Sequence, residues 1–309
     1  MNKEEVCVFS PGTVSNIGPG FDLLGFALEA PGDEMIIRPN ESGKLRLLNE
    51  TAIPLPLDPL KNVAGVAARA LLCALKSDEG FDLVFRQKIP PGSGIGSSAA
   101  SCVAAVLGIN ALLGHPFETA SLLPFAMEGE KLASGSTHAD NVAPALLGKI
   151  TLIRSYDPID IKHIPYPGDL YCALVHPHIE IRTMESRKLI PGEISLKTGL
   201  TQCGNLAGLI AGLCTGDYEL IGRSVKDVFA EPYRIQQVPD FETLRSKALE
   251  AGARGSGLSG SGPSVFSLCK GKEVARQVGT VMQEHFIQRG IDCKLYISAV
   301  GPGARRISN

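Results

Sequence analysis

Tryptophan is absent from this 309-residue chain, which by itself decides nothing about function. Three other shortages exclude more. No apolar run reaches the roughly 18 residues a helix needs to span a bilayer, so no membrane-spanning helix is expected. Neither charge sign prevails: 30 Lys and Arg face 32 Asp and Glu, for a net charge of −2. That balance gives no support for sequence-independent binding to nucleic acid, which needs a concentrated basic surface. The eight cysteines include no C-x-x-C pair and mostly sit in apolar surroundings, so buried free thiols in a reducing compartment are expected. The opening Met1-Asn2-Lys3-Glu4-Glu5 is acidic and leads at once into a strand. It has the character of neither a signal nor a transit peptide, and a cytoplasmic location is expected.

What is present is enough apolar material for a sizeable core: 44% hydrophobic against 20% charged residues. The length suggests about two domains. Strand patterns occur at 6–9, 34–38, 44–48, 81–86 and 149–154. Helical periodicity covers 62–76 and 98–113. The stretch Tyr156 to Gly168, with three charged residues, one histidine and three prolines, reads as a domain junction. Beyond it, strands at 171–176, 179–182, 264–268 and 294–298 alternate with helices at 200–214, 241–251 and 273–288. Two α+β domains, 1–155 and 156–309, are the simplest account.

The most informative stretch is Pro90-Pro91-Gly92-Ser93-Gly94-Ile95-Gly96-Ser97-Ser98-Ala99-Ala100. Glycine permits tight bends and close approach, so such a loop can bare several backbone N–H groups. The alanine-rich helix that follows points its positive end at whatever the loop holds. This pattern fits a phosphate cradle, and it equally fits a plain turn with a cap. No lysine follows its last glycine, so it is not the nucleoside-triphosphatase loop, and Ser97 stands where a dinucleotide fingerprint needs glycine. Gly255-Ser256-Gly257-Leu258-Ser259-Gly260 does spell G-x-G-x-x-G. It follows a helix and enters a strand, the reverse of what nicotinamide binding requires. His176-Pro177-His178 suggests a metal pair but has no third ligand at matching spacing.

A third glycine-rich loop, Ser10 to Asp22, contains Ser15-Asn16-Ile17-Gly18-Pro19-Gly20-Phe21-Asp22. With the loop at 90–100 and Gly257-Leu258-Ser259-Gly260-Ser261-Gly262-Pro263, it completes three motifs that resemble, in order, those of the GHMP kinase superfamily. Within that superfamily the homoserine-phosphorylating family is the most similar. Against that family's usual S-A-N-L-G-P-G-F-D, Val14 precedes Ser15 here and Ile17 replaces Leu. His138-Ala139-Asp140-Asn141 is the more discriminating match.

The resemblance implies an N-terminal domain like ribosomal S5 domain 2 and a ferredoxin-like C-terminal domain. It implies ATP and Mg²⁺, with L-homoserine as acceptor in threonine biosynthesis, and a homodimer. By residue, it implies metal binding by Ser98 and Glu130, with Glu128 the rival for the second place. It implies that Asn62 meets the adenine base, and Asn62 also reads as a helix N-cap. Arg187 and Arg234 would take the acceptor carboxylate, a task suited to the planar guanidinium. Asn16, Asp22 and His138 would line the ammonium and side-chain end. Asp140 and Asn141 would orient the hydroxyl, and Thr183 sits at a position linked to the site. Another small alcohol, such as mevalonate or shikimate, or a non-catalytic sensor on the same fold, are the alternatives.

Overall fold

The computed structural model describes residues 5–135, 137–181 and 183–308. The first half runs β1 Val6–Ser15, β2 Leu24–Asn40, β3 Leu45–Asn49, α1 Val63–Leu75, β4 Gly80–Gln87, α2 Ser97–Leu112, α3 Leu123–Ser134, α4 Val142–Leu147, β5 Ile150–Tyr156 and β6 Ile159–Ile164. The second half runs β7 Leu170–Pro177, α5 Thr183–Lys188, α6 Leu196–Thr215, α7 Tyr218–Ser224, α8 Glu231–Arg234, α9 Phe241–Glu250, β8 Gly255–Leu258, β9 Val265–Lys270, α10 Lys272–Ile287, β10 Cys293–Ala299 and β11 Arg305–Ile307.

Two sheets organise these elements. The first has the order β11-β1-β2-β4-β3, with β5 and β6 branching from β2. Only β3 and β4 pair in parallel. One face of this sheet is covered by α1 to α4, with Met35, Ile37, Phe81 and Leu83 meeting Leu71, Val103 and Ile109. Helix α2 is buried over most of its surface. Its run of Ala, Ser and Gly lets it pass through the centre of the lobe, which explains why it lacks a polar face. The second sheet has the order β10-β7-β9-β8, all antiparallel. Strand, helices, two strands, helix, strand in chain order, laid out in that sheet order, is the ferredoxin-like arrangement. A shared core joins the lobes: Val14, Leu24, Phe26 and Ile150 pack with Leu174, Leu213, Ile221 and Phe266.

Several expected boundaries shift for identifiable reasons. Strand β1 does not stop at Pro11 but continues to Ser15 past a register shift between Pro11 and Thr13. A bulge absorbs the proline, which has no N–H to give. Strand β2 begins ten residues earlier than the pattern suggested, because Leu24 to Phe26 pair with β5. The stretch Ile179 to Ile181 is not a strand, and Arg182 lies outside the described residues. The 156–168 stretch holds β6, which pairs with β5 in the first sheet, and β11 pairs with β1 in that same sheet. The cysteines form no disulfide; Cys7, Cys102, Cys172 and Cys269 are buried, while Cys73, Cys203 and Cys214 are exposed.

Strand β2 also abuts the turn before α4. A Cβ on Gly25 would overlap the carbonyl oxygen of Asp140 and lie 3.0 Å from Pro144 Cγ. Backbone cannot move aside as a side chain can. Gly25→Ala is therefore expected to destabilise the protein by about 3 kcal/mol or more, measured by urea unfolding.

Candidate active site

Between the lobes lies a cavity of about 360 Å³. The loop from Gly92 to Gly96 forms one wall. Gly92, Gly94 and Gly96 have φ of 70°, 75° and 64°, while Ser93 and Ile95 between them do not enter that region. Alternation of handedness turns successive N–H groups toward one concave side, the geometry of an anion nest. Helix α2 starts directly after, and no side chain caps its N-terminus. Its first N–H groups are left to a ligand or to water.

The loop is propped from both lobes. Thr13 N donates to Ile95 O at 3.1 Å. Ser259 Oγ donates to Gly94 O at 2.7 Å, and Ser264 Oγ to Ser93 O at 2.6 Å. A Cβ on Gly94 would sit 2.6 Å from Gly262 O. The third glycine motif thus serves as backbone support for the second. Gly255 to Leu258 is strand β8, followed by a turn and β9, which lacks the helix that dinucleotide binding needs.

Beneath this wall lies a feature that periodicity and motifs did not reveal. The side chain of Lys88 is buried and paired with the fully buried Asp33, Nζ to Oδ2 at 3.0 Å. It also donates to Ser97 O at 2.9 Å and to the Ser97 hydroxyl. Asp33 further accepts from Ile89 N at 2.8 Å and Ser101 Oγ at 2.6 Å. With its bonds satisfied, this buried pair anchors both ends of the loop, and removing one partner would strand the other charge. Nothing marks Asp33 in the sequence, since it sits between Gly32 and Glu34 at a bend of one strand.

Glu130 on α3 faces the cavity and is buried, whereas Glu128 is exposed. Two residues apart on a helix, they point in different directions. Burial pushes the Glu130 carboxyl up to about 7, against the opposing effects of a hydrogen bond with Ser98 and the nearby Lys88. Its Oε2 is buried with no hydrogen-bond partner. A buried carboxylate with an open lone pair beside a hydroxyl at the phosphate wall suits Mg²⁺, which takes oxygen ligands and keeps waters and phosphate oxygens in the rest of its shell.

The opposite end of the cavity brings together the other predicted residues. Asn141 is held at both ends, accepting from Thr13 Oγ1 at 2.7 Å and donating to Ser15 Oγ at 3.0 Å. Asp140 is buried beside it. Desolvation, then the charges of Asp22 and Glu130, raise its carboxyl well above the usual range, with a hydrogen bond to Ser15 opposing. Asp22 receives a two-pronged bond from Arg187, at 3.1 and 2.6 Å, and His138 Nδ1 lies 3.6 Å from it. Burial lowers the His138 imidazole, Asp22 raises it, and the two arginines lower it further. Arg234 is buried, donates to Gly260 O at 3.1 Å, and leaves its Nε unpartnered. Both guanidiniums rest near the Phe21 ring, at 5.2 and 5.4 Å from its centre. Asn16 donates to Gly260 O at 3.2 Å and accepts from Asp22 N at 3.1 Å. Tyr156, unremarked in the sequence, donates to Asp22 O at 2.7 Å and accepts from Ala139 N at 3.2 Å, tying the two motifs together.

Asn62 lines the cavity at the far side of the phosphate wall, near Pro56 and Phe85. Its carboxamide caps α1 by accepting from Ala64 N at 2.9 Å and donates to Pro56 O at 2.8 Å. Thr183 opens α5, and its side chain lies outside the described residues.

A cavity with an anion nest at one wall and paired arginines and carboxylates at another defines a small-molecule phosphotransferase site. Two family models match the chain: GHMP kinases N terminal domain over residues 62–149, and GHMP kinases C terminal over 209–288. A homoserine kinase of Chlorobium phaeobacteroides is 46% identical, over 94% of this chain and 96% of its own. That of Chlorobaculum tepidum is 42% identical over 97% of each. The crystal structure of homoserine kinase from Cytophaga hutchinsonii matches with a TM-score of 0.94 at 43% identity, covering 98% of this chain and 97% of that one. An L. major mevalonate kinase, at 18% identity and a TM-score of 0.74, shares the fold. The chain belongs to the homoserine kinase family of the GHMP kinases.

The raised Asp140 carboxyl gives a pH prediction. Its folded value lies above its unfolded one, so the folded state holds the extra proton between the two. Stability contributed by that proton is present at low pH and lost as pH rises through the folded value. The charges that act on Asp140 are Asp22, Glu130, Arg187 and Arg234. Asp140→Asn is expected to stabilise the ligand-free protein on the order of 2 kcal/mol at pH 8. The gain should shrink as pH falls to 5, measured by chemical denaturation at both values.

Proposed function

We propose that this chain transfers the γ-phosphoryl group of ATP to the side-chain hydroxyl of L-homoserine, giving O-phospho-L-homoserine and ADP as a step in threonine biosynthesis. The observation that carries this reading is one cavity joining the nest at Gly92–Gly96 to the Asp22, Arg187 and Arg234 cluster. The first suits a triphosphate. The second supplies both charge signs, as a zwitterionic amino acid requires.

In this reading the backbone from Pro90 through Ala100 encloses the phosphates, and Asn62 stands at the adenine end. Ser98 and Glu130 would hold Mg²⁺, which supplies charge neutralisation on the β- and γ-phosphates. Arg187 and Arg234 take the acceptor carboxylate, and Asp22, Asn16 and His138 its ammonium side. Thr183 stands at a position linked to the site. Asn141, locked between Thr13 and Ser15, orients the hydroxyl with Asp140. The hydroxyl oxygen bonds to the γ-phosphorus as the bond to the β,γ-bridging oxygen breaks; ADP keeps that oxygen with its electron pair, and the hydroxyl proton passes to solvent. Bond breaking runs ahead of proton loss in a loose transition state, so positioning outweighs base strength. The chain acts as a homodimer in the cytoplasm, divided functionally at 155/156; sedimentation and localisation measurements test the first two.

Coupled ADP release with MgATP is expected to depend on L-homoserine and not on mevalonate or shikimate. Dependence on mevalonate or shikimate, carboxylates without an ammonium group, would remove the proposed roles of Asp22, Asn16 and His138. Glu130→Gln is expected to lower kcat by about 10²-fold or more, and Glu128→Gln by less than about 2-fold. Asp140→Asn should cost about 10-fold in kcat. A loss near 10³-fold with unchanged substrate binding would instead make Asp140 a general base.

A further inference from the structure

Gln202 lies on α6, outside every glycine motif, and its side chain is buried. Its Nε2 donates to Pro19 O at 2.9 Å and to Asp227 Oδ1 at 2.8 Å. Its Oε1 accepts from Val228 N at 2.8 Å. Asp227, also buried, accepts from Phe229 N at 2.7 Å, Ala230 N at 3.1 Å and Glu231 N at 2.8 Å. Those N–H groups open α8, the single turn that ends on Arg234. Pro19 sits in the loop that carries Asn16, Phe21 and Asp22. One turn along α6, Asn205 Nδ2 donates to Lys226 O at 2.9 Å.

One carboxamide therefore ties the two sides of the acceptor end to each other. These bonds join chain segments that no sheet ladder connects, and each segment leads to a residue of the acceptor cluster. Arg234 needs such support. It is buried, its burial disfavours the charge, and it donates to Gly260 O.

We propose that Gln202 and Asp227 form a buried brace that positions Arg234 against Phe21 and Asp22, and so sets affinity for a carboxylate-bearing acceptor. They are positioning residues and touch no substrate. The inference rests on the function proposed above. Without the brace, the turn and the loop sample other arrangements, and apparent affinity falls with the fraction that stays competent.

Gln202→Leu removes all three bonds at similar bulk. Asp227→Asn keeps the shape and alters the acceptors, and Gln202→Glu, which loses both donors, replaces either variant if it does not fold. The expected result is a rise of about 10-fold or more in KM for L-homoserine. KM for ATP and kcat should stay within about 3-fold of wild type. Asp217→Ala serves as the control, because it removes the cap that Leu220 N donates to on α7, outside the cavity. Its loss of stability, measured by urea unfolding, should leave the homoserine KM unchanged. Equal rises in KM for both substrates, or an unchanged homoserine KM, would overturn the brace while leaving the proposed reaction intact. Absence of homoserine-dependent turnover in the wild type would overturn the reaction, and the brace with it.

Discussion

The site depends on backbone held in a shape that backbone does not keep alone. Three glycines in the left-handed region, two residues apart, form an open concave loop with no ladder of its own. Glycine loses the most freedom on ordering, so the loop needs outside bonds to stay open. It receives them from β1 through Thr13, from the hairpin β8–β9 through Ser259 and Ser264, and from the Lys88–Asp33 pair below. Two lobes and one buried ion pair converge on five residues. The close approach of Gly94 to Gly262 means that the lobes cannot shift relative to each other without disturbing the loop. The shared core of Phe26, Ile150, Leu174 and Phe266 resists that shift.

The acceptor end is built on a different principle. There, side-chain charges are set against each other so that none is free to wander. Arg187 is engaged by Asp22, while both arginines lie near the same aromatic ring. Phe21 lets two like charges approach one small volume, because a ring face attracts each cation. The bond between Arg187 and Asp22 keeps both groups oriented, and in the function proposed above it would be shared or exchanged when the zwitterionic acceptor enters. Recognition of an amino acid by residues already paired is then an exchange of partners, with little new desolvation to overcome.

Much of this was legible in the sequence, and the reasons differ by residue. Asp140, Asn141 and the glycine loops stood out because motifs are local and glycine has few explanations. The choice of Glu130 over Glu128 needed the structure, since only the angular position of α3 decides which side chain turns inward. Lys88, Asp33 and Tyr156 were invisible for a different reason. Each works through a partner at least nine residues away in sequence, and their spacings follow no helical or strand period. The same applies to Ile179 to Ile181, whose alternating pattern suggested a strand. The segment instead lies beside the phosphate loop, where Ile181 N approaches Gly92 O at 3.4 Å. Apolar alternation records burial on one side and does not reveal whether a neighbouring strand is there to pair with.

Glu130 and Asp140 carry the remaining tension. Both are buried carboxyls raised chiefly by desolvation, and the charge of Glu130 adds to the rise at Asp140. The nearest buried ammonium, Lys88, is already neutralised by Asp33. A fold seeking only stability would place apolar side chains there, because an unpaired buried carboxylate opposes folding. The deficit of positive charge lies between the phosphate wall and the acceptor end, where the proposed reaction requires a cation and an ammonium to be held. Ligands that carry those charges would lower both carboxyl pKa values and recover the lost stability, so binding and protonation are coupled through the same two groups. The polar surroundings are already oriented by Thr13, Ser15 and Ser98 before any ligand arrives. The folded protein therefore carries the reorganisation cost in advance, as electrostatic preorganisation requires.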